Sequence, residues 1–168
     1  SCRTVGSIVT FGSYEQDNDS ANGKEPIEWI VLNVKDDRRL LISKYALDCQ
    51  PYNKGSDDMS WATCTLREWL NNEFLGAAFN EEELSMIPTV TVSVNNNQNQ
   101  ADSKNAIQDK VFLLNSREAE VNLLRVKETH KCMATAYAVA QGVAQGARSY
   151  DQYQVNGKDD FIWWLRED

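Results

Sequence analysis

The feature that most restricts this chain lies in its first 45 residues, where three β-rich runs are separated by connections made of turn-forming residues. Ser7 to Tyr14 (SIVTFGSY) sets Ile8, Thr10 and Gly12 against Val9 and Phe11, with β-branched enrichment, and reads as a half-buried strand. Glu15 to Pro26 (EQDNDSANGKEP) is turn chemistry throughout. Ile27 to Val34 (IEWIVLNV) reads as a second strand, Asp36-Asp37 as a tight turn, and Arg39 to Ser43 as a third strand. Strands joined by polar turn-forming connections indicate antiparallel pairing, and the Asp36-Asp37 turn is far too short for a parallel crossover. An antiparallel meander over residues 1–45 is the prediction.

After the meander the period changes. Leu66, Trp69, Leu70 and Phe74 fall on one stripe at helical spacing within Thr65–Phe79, with Thr65 as N-cap and Gly76 as the stop. Asn80 and Glu83 have the spacing of a capping box and open a short helix that ends before Pro88. Thr89 to Val94 (TVTVSV) is the strongest strand signal in the chain, and the polar tract Asn95–Gln108 that follows is expected to be mobile. Val111–Leu114 is a short apolar run expected to be buried, and Asn115 with Glu118 repeats the cap-and-box pattern before a helix through Glu120 to Leu124. Ala134–Val143 reads as a small-residue helix, Ala144–Asp160 as a polar loop, and Phe161–Leu165 as a final strand. Strands, then helices, then scattered strands indicate an α+β fold, a single domain over 1–168 with the meander as part of it.

Composition narrows the class. At 168 residues with 42% hydrophobic side chains, the chain can build a core without a metal or a disulfide to hold it. Lys+Arg 17 against Asp+Glu 25 gives a net charge of −8, which argues against duplex nucleic acid or an anionic membrane as partner, since both select clustered cations. No apolar run is long enough to span a bilayer. The opening Ser1-Cys2-Arg3 fits the trimmed edge of a longer polypeptide and leaves the compartment undecided.

Reactive chemistry finds little support in the residue pattern. Cys2, Cys49, Cys64 and Cys132 show no CxxC spacing, so buried reduced thiols are favoured over a disulfide pair or a zinc set completed by His130. His130 is the single histidine, and no GxSxG accompanies it; a Cys132/His130 dyad is disfavoured. Asp57-Asp58 and Glu81-Glu82-Glu83 are runs, which solvate or start helices more often than they perform acid–base work. Asp17-Asn18-Asp19 starts like a calcium loop, but Ala21 stands at position five and the glycine comes one place late, so Asx turns are favoured. No phosphate-cradling glycine motif is present. Trp69 and Trp29 are assigned to core. Trp163 and Trp164, adjacent on a strand, leave on opposite faces, so one is placed outward.

The segments VGSIVTFGSYEQD, PIEWIVL, LLISKYALDCQPYN, WATCTLREWLNNEFLGAAF, QDKVFLLNSREAE, KCMATAYAVAQG and WWLR, in that order, resemble a bacterial family, domain of unknown function six-two-seven-three. The resemblance covers essentially the whole chain and implies a fold distantly similar to C-type lectins, without a settled activity. It departs at Glu167-Asp168, where the family pattern reads Ser-Pro-Gly and continues into further strands that carry much of a lectin-like ligand face. The Glu-Pro-Asn and Trp-Asn-Asp motifs of calcium-dependent sugar binding are absent, so no metal or other cofactor is expected. The function expected is a non-catalytic binding module at or outside the cell envelope, recognising a glycan or a protein. Its contacts are placed at Trp164, Arg166, Tyr150, Tyr153 and Asn156, on the last strand and the loops beside it. The alternatives are a structural interaction domain, or a metal-supported or enzymatic domain centred on Cys49, Cys64, His130 and Cys132.

Overall fold

A computed structural model of the chain describes residues 4–55, 60–93, 106–129 and 132–143. They divide into two compact units: residues 4–49 with those from 120 to 143, and the described residues between 50 and 119. The architecture is α+β, with an N-terminal antiparallel sheet followed by helices and short strands.

The first unit contains the meander. Strands β1 (Ile8–Tyr14), β2 (Glu25–Lys35) and β3 (Arg38–Ser43) pair antiparallel in that order, with Val9 opposite Trp29 and Ile30 opposite Ile42. Asp36 turns the chain between β2 and β3 at φ 53, a left-handed conformation that a short polar side chain tolerates. Two register shifts bend the sheet, one between Thr10 and Ser13 and one between Val31 and Asn33. Gly12 lies in the first at φ 71, where a Cβ would be strained. In the middle of β2 the residues Ile30, Val31 and Leu32 are buried in succession, so the strand is covered on both faces there. Strand β4 (Tyr45–Ala46) pairs parallel with β7 (Met133–Ala134). Thr135 caps the helix that follows β7, α5 (Ala136–Ala140), by accepting from the Ala138 N–H at 3.1 Å. The expected helix over 134–143 is therefore a strand end, a cap and a shorter helix.

The second unit is built on one broken helix. α1 (Thr65–Trp69) passes through a π-helical segment (Leu70–Phe74) into α2 (Leu75–Ala78). Thr65 is not the cap. Cys64 occupies that position without a side-chain bond to the helix N–H groups, and the preceding loop satisfies the first turn instead. Asn53 Oδ1 accepts from the Thr65 N–H at 3.3 Å, the Tyr52 carbonyl accepts from the Leu66 N–H at 3.1 Å, and Thr65 Oγ1 accepts from the Lys54 N–H at 3.0 Å. Nor does Gly76 end the helix: it sits inside α2, and extended Phe79 ends it. Helix α3 (Glu81–Met86) carries the full capping box between Asn80 and Glu83.

Strand β5 (Val90–Ser93) pairs antiparallel with β6 (Ala106–Asp109), so the end of the tract expected to be mobile is a strand. The apolar run Val111–Leu114 is half-buried irregular chain. Asn115 and Glu118 cap α4 (Ser116–Leu123) reciprocally, at 2.7 and 3.0 Å. The core of this unit gathers on Trp61, which is fully buried beside Cys64 and Leu66, with Trp69, Leu70, Ile107 and Phe112 against them. Burying one tryptophan is worth on the order of 4 kcal/mol gross. No helix of the described residues is long and apolar enough to cross a membrane.

Candidate functional site

In the second unit the core carries a buried charge. Asp109, at the end of β6, is 2% exposed, and a carboxylate there must be paired or become neutral. Both of its oxygens are engaged: Oδ2 accepts from the Trp61 indole N–H at 3.0 Å, and Oδ1 from Arg67 Nε at 2.8 Å. Arg67, half-buried on α1, also donates to the carbonyls of Ala62 at 3.0 Å and Gln108 at 3.4 Å. One guanidinium therefore ties a helix, the turn before it and a strand together.

Asn71, one helical turn on, performs a similar service. Its amide nitrogen donates to the carbonyls of Arg67 (3.1 Å) and Val111 (2.8 Å), and its oxygen accepts from the N–H groups of Lys110 (2.9 Å) and Val111 (3.1 Å). It lies in the π-helical segment, whose wider turn is a departure often found at functional sites. A cleft of about 300 Å³ opens over this network. Arg67, Asn71, Asp109, Cys64 and Ala62 line it, together with the exposed side chains of Thr63, Glu68, Asn72 and Gln108.

The chemistry open to the cleft follows from which groups are already used. Cys64 is 2% exposed, and its thiol lies 3.5 Å from the Trp61 carbonyl, a placement for packing. Asn72 Nδ2 donates to the Glu68 carbonyl at 2.8 Å and Gln108 Nε2 to Thr91 Oγ1 at 2.8 Å. Their amide oxygens, and the Glu68 carboxylate, have no partner among the described residues. The cleft thus combines a fixed floor with acceptors at its edge.

A second polar cluster occupies the β1–β2 connection. Glu15, Asp17 and Glu25 bring carboxylate oxygens within 4.8 Å of one another. The loop itself uses them. Asp17 accepts from the Asp19 N–H (2.9 Å) and Asn22 Nδ2 (2.7 Å), Glu15 from the Asp19 N–H (3.0 Å), and Glu25 from the Gln16 N–H (2.7 Å), while Asp19 accepts from the Ala21 N–H at 3.1 Å. Asx turns at Asp17 and Asp19 are the result. Hydrogen bonds from Asn22 and Asp19 hold the Asp17 carboxyl below its ordinary range. Partial desolvation, with Asp17 and Glu25 nearby, raises that of Glu15. Beside this loop the Tyr14 phenol donates to Asp48 at 2.5 Å and meets Tyr137 edge-on at 5.8 Å. Burial first, and Asp48 second, push its ionisation far above the ordinary phenol value.

The residues expected to bind ligand, Trp164, Arg166, Tyr150, Tyr153 and Asn156, lie outside the described residues, as do His130, Cys2 and Asp57-Asp58. Cys49, Cys64 and Cys132 form no disulfide, and no cysteine belongs to the carboxylate group described above. Trp29 and Trp69, assigned to core, are half-buried: Trp29 donates its indole N–H to the Phe11 carbonyl at 2.7 Å, and Trp69 packs against Phe74 at 5.7 Å. Arg67, Asn71 and Asp109 were not legible as a set. The available signal was a pair of polar side chains, Arg67 and Asn71, at i and i+4 on the flank of an apolar stripe.

A family model described as Domain of unknown function (DUF6273) matches residues 36–167, most of the chain and all of the cleft. The chain belongs to that family. No curated protein and no solved structure matches it.

Proposed function

We propose that this member of the family is a non-catalytic binding module, and that the cleft of its second unit holds a polar ligand, a glycan or a protein segment, by reversible contact. The observation that supports this is the division of labour in the cleft. Half-buried Arg67 and buried Asp109 are engaged by each other, by the Trp61 indole and by backbone carbonyls, while Glu68, Asn72 and Gln108 keep acceptors for something else. A general base or nucleophile needs a neighbouring group that activates it, whereas the one carboxylate of the cleft without a partner among the described residues, Glu68, is exposed. A preformed concave surface with a few fixed polar groups suits binding. The relationship to C-type lectins belongs to the same proposal, and the contacts placed at Trp164, Arg166, Tyr150, Tyr153 and Asn156 remain a second surface to test.

The experiment is a panel of cell-wall glycans, simple oligosaccharides and peptides presented to the purified protein, with Asn72→Ala/Gln108→Ala as the cleft variant. Retention of at least one class, weakened in the variant, is expected. Silence across the panel, or turnover of a panel compound, would overturn the proposal.

A further inference from the structure

The exposed edge of the cleft keeps three acceptor groups, the amide oxygens of Asn72 and Gln108 and the Glu68 carboxylate. Asn72 and Gln108 are each anchored to the protein through one N–H of the amide nitrogen, which orients the amide and leaves its oxygen without a partner among the described residues. Glu68 adds a carboxylate with no cation paired to it among the described residues, whereas the charge of Arg67 is matched by Asp109 at 2.8 Å. The lining therefore carries one uncompensated negative charge, on a chain whose net charge is −8. Anions are disfavoured there, and a cation that donates hydrogen bonds is favoured beside Glu68. A primary ammonium is such a group, with three N–H donors and no acceptor.

The walls decide what can carry the ammonium. A lysine side chain would bring a tetramethylene stem that needs apolar surface beside it. Ala62 is the one apolar side chain of the lining with appreciable exposure, since Cys64 is buried. A sugar ring brings hydroxyls instead, and these can donate to the Asn72 and Gln108 oxygens. Building on the binding reading above, we infer that the cleft recognises a glycan with a free amino group, an amino sugar whose ammonium pairs with Glu68.

The test is calorimetric titration with a β-linked glucosamine oligosaccharide, its fully N-acetylated counterpart of equal length and a lysine-rich peptide, in buffer acidic enough to protonate the amine. Acetylation removes the charge and keeps the ring, so it isolates the group in question. The glucosamine oligomer is expected to bind about fivefold tighter than the acetylated one, the scale of a partly exposed charge pair. Glu68→Gln should erase that preference. Glu73→Gln, which removes the same charge from an exposed neighbour outside the cleft, should leave it within about twofold. Equal affinity for the two oligosaccharides, or an unchanged preference in Glu68→Gln, would overturn the inference while a binding module remained. Preference for the peptide, or silence of both sugars, would overturn the choice of an amino sugar, and the broader panel then decides whether the module binds at all.

Discussion

The β1–β2 connection and the cleft are both rich in Asp, Glu, Asn and Gln, yet they use these side chains in opposite ways. In the connection the carboxylates of Glu15, Asp17 and Glu25 accept hydrogen bonds from their own loop, and the cluster closes on itself. In the cleft the buried members close on one another, while the exposed ones are held by their donors and keep their acceptors. Polar density alone does not make a site. What distinguishes the two is the count of donors and acceptors left after the fold has taken its share.

On that difference, the floor of the cleft is structural and its loss should be costly. Asp109→Ala leaves the Arg67 charge and the Trp61 indole N–H without their partner and should cost about 3 kcal/mol in urea denaturation. Asp109→Asn keeps an acceptor for the indole and should cost less. A loss under about 1 kcal/mol for the alanine variant would mean that the network does not hold the floor.

Next in size is the phenol beside the connection. Tyr14→Phe removes the donor to Asp48 and should cost about 1.5 kcal/mol at neutral pH. Because the fold raises the ionisation of Tyr14, its contribution is whole below the unfolded phenol value of about 10 and is lost as the pH climbs beyond it. The wild type should therefore lose more stability in alkali than Tyr14→Phe does. Parallel stability curves across that range would contradict the assignment.

The cap of α1 comes third. Asn53→Ala removes the acceptor for the Thr65 N–H and should cost about 1 kcal/mol by thermal unfolding, whereas an unchanged midpoint would assign the helix start to the Tyr52 carbonyl alone.

The smallest effect belongs to the closed cluster. The fold raises the Glu15 carboxyl, so its contribution is present in acid and lost as the pH rises through its folded value. Glu15→Gln should thus be slightly stabilising at neutral pH and not in acid. A clear destabilisation at neutral pH would show that the Glu15 carboxylate supports the loop more than its neighbours oppose it.

These contacts also explain which features a sequence discloses. The meander was legible because its turns are local and Asp36-Asp37 closes β2 on β3 directly. Both capping boxes were legible for the same reason, each spanning three residues. The helix start was misassigned because its cap comes from Asn53, twelve residues before Thr65. Strand β6 was hidden inside a polar tract: two of its four residues carry polar side chains, and pairing with β5 supplies what hydrophobic pattern does not. The cleft was the least legible of all. Its floor joins Trp61 and Arg67 to an aspartate 48 and 42 residues away, a distance at which no periodicity speaks.

A titration of isotope-labelled protein with the binders found in the panel, followed by amide and side-chain NH₂ resonances, tests the central claim most directly. Reversible, saturable shifts centred on Glu68, Asn72 and Gln108, with the ligand recovered unchanged and the Asp17–Asn22 signals still, are the predicted result. Shifts confined to the β1–β2 connection, or a ligand converted to product during the titration, would contradict it.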